Sequence, residues 1–138
     1  MNISNKLGVI LVLVILVSVG VCANQVINLD DDNFASFIDE NPYVLVKFYA
    51  PWCAHCKAMA EDYEKLAVVT KDRPFKIAQV DATVAEKTSQ MLAIDGYPTL
   101  IFFAKGSKIP YNGKKSSSEI FLWLEKYLVA DISVVSES

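Results

Sequence analysis

Two cysteines, Cys53 and Cys56, stand in the stretch "APWCAHCKA" (residues 50–58), separated by Ala54 and His55. A pair at this spacing can hold a metal, close a structural disulfide or cycle electrons. Structural zinc takes four Cys or His ligands, and this segment offers three, crowded into one turn; a zinc shared between two copies is the only form left. A small secreted domain stapled by disulfides carries four or more cysteines. Here one pair closes a loop too short to remove much entropy from the unfolded chain. The remaining chemistry is thiol–disulfide exchange, which needs no metal or cofactor.

That chemistry requires one activated thiol and one sheltered thiol. "YVLVKFYA" is a run of β-branched and aromatic residues, as expected of a buried central strand ended by Pro51. Beyond Cys53 the chain is rich in Ala, Lys, Glu, Met and Leu to about Thr70, all good helix formers. Cys53 is therefore expected at a helix start, where unpaired N–H groups and the positive end of the macrodipole stabilise a thiolate. Cys56, one turn on, is shielded and would resolve the mixed disulfide formed at an exposed Cys53. His55, the only histidine in the chain, adds a cation beside the thiolate when protonated, which weakens the disulfide form and makes the pair a stronger oxidant.

The surrounding pattern predicts the scaffold. "QVINL" reads as a strand and "DDDNFASFIDE" as a helix broken by Asn41-Pro42. "FKIAQVDA" is a second buried strand, "VAEKTSQMLAI" a short helix, and "TLIFFA" and "KIPY" strands joined by Lys105-Gly106. "SSSEIFLWLEKYL" is a serine-capped amphipathic helix. Early strand–helix alternation predicts parallel pairing, and the Lys-Gly turn predicts an antiparallel hairpin. The expected fold is α/β: a central mixed sheet with helices on both faces over residues 24–130, followed by a loose tail at 131–138.

Residues 7–23, "LGVILVLVILVSVGVCA", are uncharged and follow Lys6. A basic start, an apolar core and small residues near Ala23 fit a signal peptide over 1–23. An uncleaved anchor is the alternative, although spanning helices need about 20 apolar residues. Removing the leader discards Cys22 and leaves a formal charge of −4. No basic patch argues for nucleic acid, and membrane contact is expected only if the leader is retained.

"FYAPWCAHCKAM", "QVDAT" and "GYPT" together resemble the catalytic thioredoxin-like domain of protein disulfide isomerases, over residues 26–128. The resemblance implies a thioredoxin fold and oxidoreductase or isomerase activity on protein disulfides. It implies a nucleophile at Cys53, a resolving thiol at Cys56 and a Cys53–Cys56 disulfide in the oxidised state. It makes Tyr97-Pro98 a cis peptide facing the pair, with the backbone before Pro98 pairing with extended substrate. Trp52 then offers unfolded clients an apolar surface. The implied partners are unfolded or disulfide-containing proteins, with glutathione or a redox recycling partner. The implied location is the endoplasmic reticulum lumen; the terminal "VVSES" has no Lys-Asp-Glu-Leu-type motif, so secretion is the alternative.

Four positions depart from the family pattern. Ala54 replaces a usual Gly, and Glu61 replaces a usual Pro, which predicts a straighter helix. Lys47 stands where the family carries a buried acid that takes and returns the proton of the second cysteine, and Gln79 stands where that acid's lysine partner is expected. Lys47 could act as a neutral base, hold Cys56 as thiolate by its charge, or snorkel to solvent. Lys115 matches a basic position that modulates the second thiol in the family. These changes keep a second reading open, that of a redox-weak client-binding module.

Overall fold

The computed structural model describes residues 26–137; the expected leader at 1–23 lies outside them. The described residues form β1 (Ile27–Leu29), α1 (Phe34–Glu40), β2 (Tyr43–Tyr49), α2 (Ala54–Val69), β3 (Lys76–Asp81), α3 (Glu86–Met91), β4 (Thr99–Ala104), β5 (Ser107–Tyr111) and α4 (Ser117–Ser136). This is the predicted order of strands and helices. The sheet runs β1-β3-β2-β4-β5. β1 and β2 both pair parallel with β3, whereas β2–β4 and β4–β5 are antiparallel.

β2 lies at the centre because its apolar residues alternate onto both faces, and all but Tyr49 are buried. On one face Leu45, Ile77, Leu100 and Phe102 pack under Met59, Tyr63 and Leu66 of α2 and Ile120 and Leu124 of α4. On the other, Val44, Val46, Phe48, Val80 and Phe103 pack with Phe34 of α1 and with Ala85 at the start of α3. A two-residue turn joins β4 to β5. Its Lys105 and Gly106 have φ of 49° and 86°, the positive values that a tight type I′ hairpin turn demands.

The helix ends differ from the sequence pattern in ways that local hydrogen bonds explain. α1 starts later than Asp30 because Asp30 and Asn33 accept backbone N–H bonds from each other, forming a capping turn. α3 is shorter than expected and is followed by Ala93 at a φ of 53°, outside the helical range. Ser116 caps α4 as predicted, its hydroxyl oxygen accepting from the Glu119 N–H.

The loose tail expected at 131–138 is not observed over its described residues. α4 continues to Ser136. The Asp131 carboxylate accepts from the Tyr43 hydroxyl and from Lys105 Nζ, tying the added turns to the start of β2 and to the hairpin.

Candidate active site

Cys53 sits where the chain leaves β2 and turns into α2. It is the N-cap residue, with extended backbone, and its Sγ accepts the Cys56 N–H at 3.3 Å. A sulfur here takes a donor that the first helical turn cannot pair internally. The Cys53 thiol is held below the ordinary cysteine range, chiefly by hydrogen bonding from the Cys56 side chain and also by the Cys56 and His55 N–H groups and the Lys57 charge. Burial pushes the Cys56 thiol up, with the Cys53 hydrogen bond and charge in the same direction, and Lys47 pulls it back down. The two thiols are thereby split into an acidic and a reluctant one.

Cys53 and Cys56 are both free thiols. Cys53 is less open than the expected exposed nucleophile, with 8% of its surface accessible against 4% for Cys56. The covering comes from Ala50, Tyr49 and Tyr97, which pack against the pair. The Tyr97-Pro98 peptide is cis, as predicted. The Tyr97 carbonyl oxygen lies 3.7 Å from Cys53 Sγ, as acceptor for the thiol. Trp52 is 70% exposed and meets the Tyr97 ring edge-on at 5.9 Å, forming an apolar ledge beside the nucleophile.

His55 is exposed, and the hydrogen bond that reaches Cys53 from this residue comes from its backbone. The side chain helps line a cavity of about 440 Å³ with Ala58, Met59, Asp62, Pro98, Lys115 and Ser116. Lys115 therefore does border the site. Its Nζ donates to the Gly113 carbonyl at 3.2 Å and lies 5.4 Å from the Tyr111 ring centre, rather than meeting a cysteine. Among the described residues no group of three or more His, Cys, Asp and Glu is gathered as a metal-ligand set.

Lys47 does not snorkel out. Only 4% of its surface is accessible, and its Nζ lies 4.6 Å from the Tyr63 ring centre and 5.4 Å from that of Tyr49. Burial lowers the Lys47 ammonium below the usual lysine range, while Cys56 and Glu64 pull it upward. Its register partner Gln79 turns its amide to Asn28 at 2.8 Å and is not an ion-pair partner. Lys47 lines a second cavity, of about 220 Å³, with Cys56, Tyr49, Tyr63, Glu64, Lys57 and Gln79 among its walls.

Tyr63 and Glu64 were not singled out in the sequence. Their signal was spacing: Cys56, Ala60, Tyr63 and Glu64 fall at i, i+4, i+7 and i+8, on one face of α2. Tyr63 is fully buried, and its hydroxyl lies 2.7 Å from the Ala78 carbonyl oxygen and 3.1 Å from that of Leu45. It fixes α2 to the sheet directly beside Lys47.

A five-stranded mixed sheet carrying a Cys-x-x-Cys dithiol at a helix start, opposite a cis-proline, defines a thioredoxin-fold dithiol protein. The thioredoxin family model matches residues 25–126, and the chain belongs to that family. It is 47% identical over 97 residues to protein disulfide-isomerase of Drosophila melanogaster, covering 69% of this chain and 20% of that protein. It is 41% identical over 99 residues to human protein disulfide-isomerase A4, covering 70% of this chain and 15% of that one. Among solved structures, the first thioredoxin domain of mouse protein disulfide-isomerase A4 matches at a TM-score of 0.69 and 39% identity, with 75% of each chain covered. The chain thus spans about a fifth or less of the length of these curated relatives.

Proposed function

We propose that this chain is a thiol–disulfide oxidoreductase and isomerase acting on protein clients, with Cys53 as nucleophile and Cys56 as resolving thiol. The observation that carries this reading is the split pair. Cys53 is held acidic at the N-cap of α2, and Cys56 is held protonated one turn behind it. The Cys53 thiolate attacks a client disulfide, joining one client sulfur and releasing the other as thiolate. Cys56, once deprotonated, attacks Cys53 and frees the first client sulfur, so two protein thiols are oxidised and one client disulfide is reduced. Run backwards, the same steps oxidise a client; stopping at the mixed disulfide allows reshuffling.

The Trp52–Tyr97 ledge and the backbone before Pro98 are the contact surface for an extended client chain, which lies beside the sheet as an added strand would. The His55 side chain and Lys115 border one cavity beside Pro98, on the client side of the site. The apolar stretch at 7–23 and the resemblance to protein disulfide isomerases support a place in the secretory pathway, in the endoplasmic reticulum lumen. Glutathione or a redox partner resets the pair.

Equilibration of the chain in glutathione buffers, with trapping of the Cys53–Cys56 state, tests this. The expected potential is nearer the value of about −180 mV characteristic of protein disulfide isomerase than the value of about −270 mV for thioredoxin. A disulfide that glutathione cannot reduce would support the client-binding reading instead, which the substitutions at Lys47 and Gln79 keep in view.

A further inference from the structure

Between β5 and α4 the chain runs Tyr111-Asn112-Gly113-Lys114-Lys115. Tyr111 shapes this loop. Its side chain is buried, and its hydroxyl donates to the Lys114 carbonyl at 2.7 Å. The phenol lies so close over Gly113 that a Cβ built there would meet the Tyr111 oxygen at 2.5 Å. Packing therefore demands glycine at 113. The Gly113 carbonyl accepts from Lys115 Nζ at 3.2 Å, and Lys115 in turn borders the cavity beside His55 and Pro98.

An asparagine carboxamide can be attacked by the backbone nitrogen of the following residue, most readily when that residue has no Cβ in the way. The asparagines among the described residues differ in this respect. Asn28 lies in β1, precedes Leu29 and accepts the Gln79 amide on its Oδ1 at 2.8 Å. Asn33 precedes Phe34, and its Oδ1 accepts from the Asp30 N–H at 2.8 Å. Asn41 donates to the Phe37 carbonyl at 2.8 Å and precedes Pro42, whose nitrogen carries no hydrogen. Among the described residues, Asn112 alone precedes glycine. Both Asn112 and Gly113 are exposed and lie outside strand and helix. The Asn112 carboxamide makes no hydrogen bond among the described residues, and the Gly113 N–H donates to no backbone carbonyl there.

We propose that Asn112 is a self-modification site: its carboxamide condenses with the Gly113 nitrogen, and the product is an isoaspartyl residue open to a carboxyl methyltransferase that recognises isoaspartate. This chemistry lies outside the dithiol reading and does not depend on it. Water takes the Gly113 amide proton, the nitrogen attacks Asn112 Cγ, and the side-chain nitrogen leaves as ammonia. A five-membered succinimide then joins residues 112 and 113. Water opens it at either carbonyl. Opening at Cγ gives aspartate. Opening at the main-chain carbonyl routes the backbone through Cβ and Cγ and gives isoaspartate with a free α-carboxylate. One water enters, one ammonia leaves, and nothing is oxidised or reduced.

The isoaspartyl link lengthens the backbone by one carbon where Gly113 is wedged against Tyr111. The added carbon shifts Gly113 relative to the phenol and carries its carbonyl away from Lys115 Nζ. Lys115 is thereby released from its seat on the rim of the client-side cavity. Aspartate at 112 keeps the ordinary backbone and leaves that seat in place. The two products of one reaction thus differ in what they do to the cavity.

Ageing the folded chain at neutral pH and physiological temperature tests this, read by peptide mass spectrometry and by methyl transfer from S-adenosylmethionine with a purified isoaspartyl methyltransferase. The amide-to-acid mass gain and the methyl label are expected in the peptide holding Asn112, and not in those holding Asn28, Asn33 or Asn41. The rate in the folded chain should lie within about tenfold of that in a free peptide of residues 108–116, a modest change in barrier. Asn112→Gln should lose both signals, since glutamine must close a larger ring. Acetylation of Lys115 should quicken severalfold in the isoaspartyl fraction and stay at the fresh rate in Asn112→Asp. A free peptide that deamidates while the folded chain does not overturns the proposal, because the loop then holds the carboxamide away from Gly113. Equal mass gain at Asn28, Asn33 or Asn41 overturns it as well. Lys115 acetylation unchanged in the isoaspartyl fraction overturns the link to the cavity.

Discussion

Val44, Val46 and Phe48 of β2 project into an apolar layer with Phe34, Val80 and Phe103. On the opposite face of the same strand, Tyr43 and Leu45 enter the core beneath α2 and α4, but Lys47 and Tyr49 open onto a cavity shared with Cys56. One face is packed to its end. The other is packed for half its length and then interrupted by a buried amine. The difference teaches where stability and chemistry part company: the apolar face holds β2 in place, and the end of the other face puts a buried amine beside Cys56.

The sharpest test of that division is Phe48→Ala. Phe48 is fully buried and its ring lies 6.1 Å from that of Phe34, so truncation should cost about 3–5 kcal/mol from lost transfer energy and the cavity left behind. Urea unfolding measures the loss. Under conditions where the variant is folded, the Cys53 attack rate should remain within about twofold, a modest shift in barrier height. A variant of normal stability, or one folded but unable to attack, would break the comparison.

Lys47→Met probes the adjacent, opposite-facing position and should move stability the other way, by a gain of about 1–2 kcal/mol, because an apolar side chain replaces a desolvated charge. The sign with pH follows from Lys47 having a folded pKa below its unfolded value of 10.5. Between the two values the unfolded chain holds more protons, so the wild type gains stability as pH rises across that window. The advantage of Lys47→Met is thus full below the folded pKa and shrinks toward pH 10.5. Measuring both proteins in a Cys53→Ala, Cys56→Ala background keeps thiol ionisation out of the comparison. A pH-independent gap would mean that Lys47 is not desolvated.

Tyr63→Phe belongs to the boundary between the packed part of the site face and the cavity beside it. It removes the donor seated between the Ala78 and Leu45 carbonyls, with an expected loss of about 1 kcal/mol in urea unfolding. If the buried hydroxyl matters only for docking α2, the redox potential should stay unchanged.

The fold and the reactive pair were legible because both are written in local pattern. The β-branched run at 43–49, the serine at 116 and the Lys105-Gly106 turn each state their conformation within a few residues. Cys53 and Cys56 declare themselves by spacing, and the Tyr97-Pro98 geometry came through the family resemblance. What escaped was the set of contacts between residues distant along the chain. Tyr97 covers Cys53 from across the site, which is why the nucleophile is less exposed than a helix start alone suggests. Glu64 shares a cavity wall with Lys47 only because α2 lies over β2. The end of α4 is helical for the same kind of reason, since Asp131 finds its partners in Tyr43 and Lys105, both far away in sequence.

Asp131→Ala isolates that last contact and carries the smallest expected effect. Lys105 is about half exposed and its pair with Asp131 is open to solvent on one side. Its loss should cost little global stability, as for an exposed ion pair, even with the Tyr43 hydroxyl bond included. The effect should also be local. Val129, Ile132 and Val134 are exposed, so little apolar burial holds these turns once the carboxylate is gone. Hydrogen exchange should therefore quicken across residues 129–136 while β2 and α2 keep their protection, and the glutathione equilibrium should not move. Protection retained in those turns would assign the helical end to its own propensity. Protection lost throughout β2 would mean that Tyr43 couples the tail to the core, and that the packed half of the site face depends on a contact made at the far end of the chain.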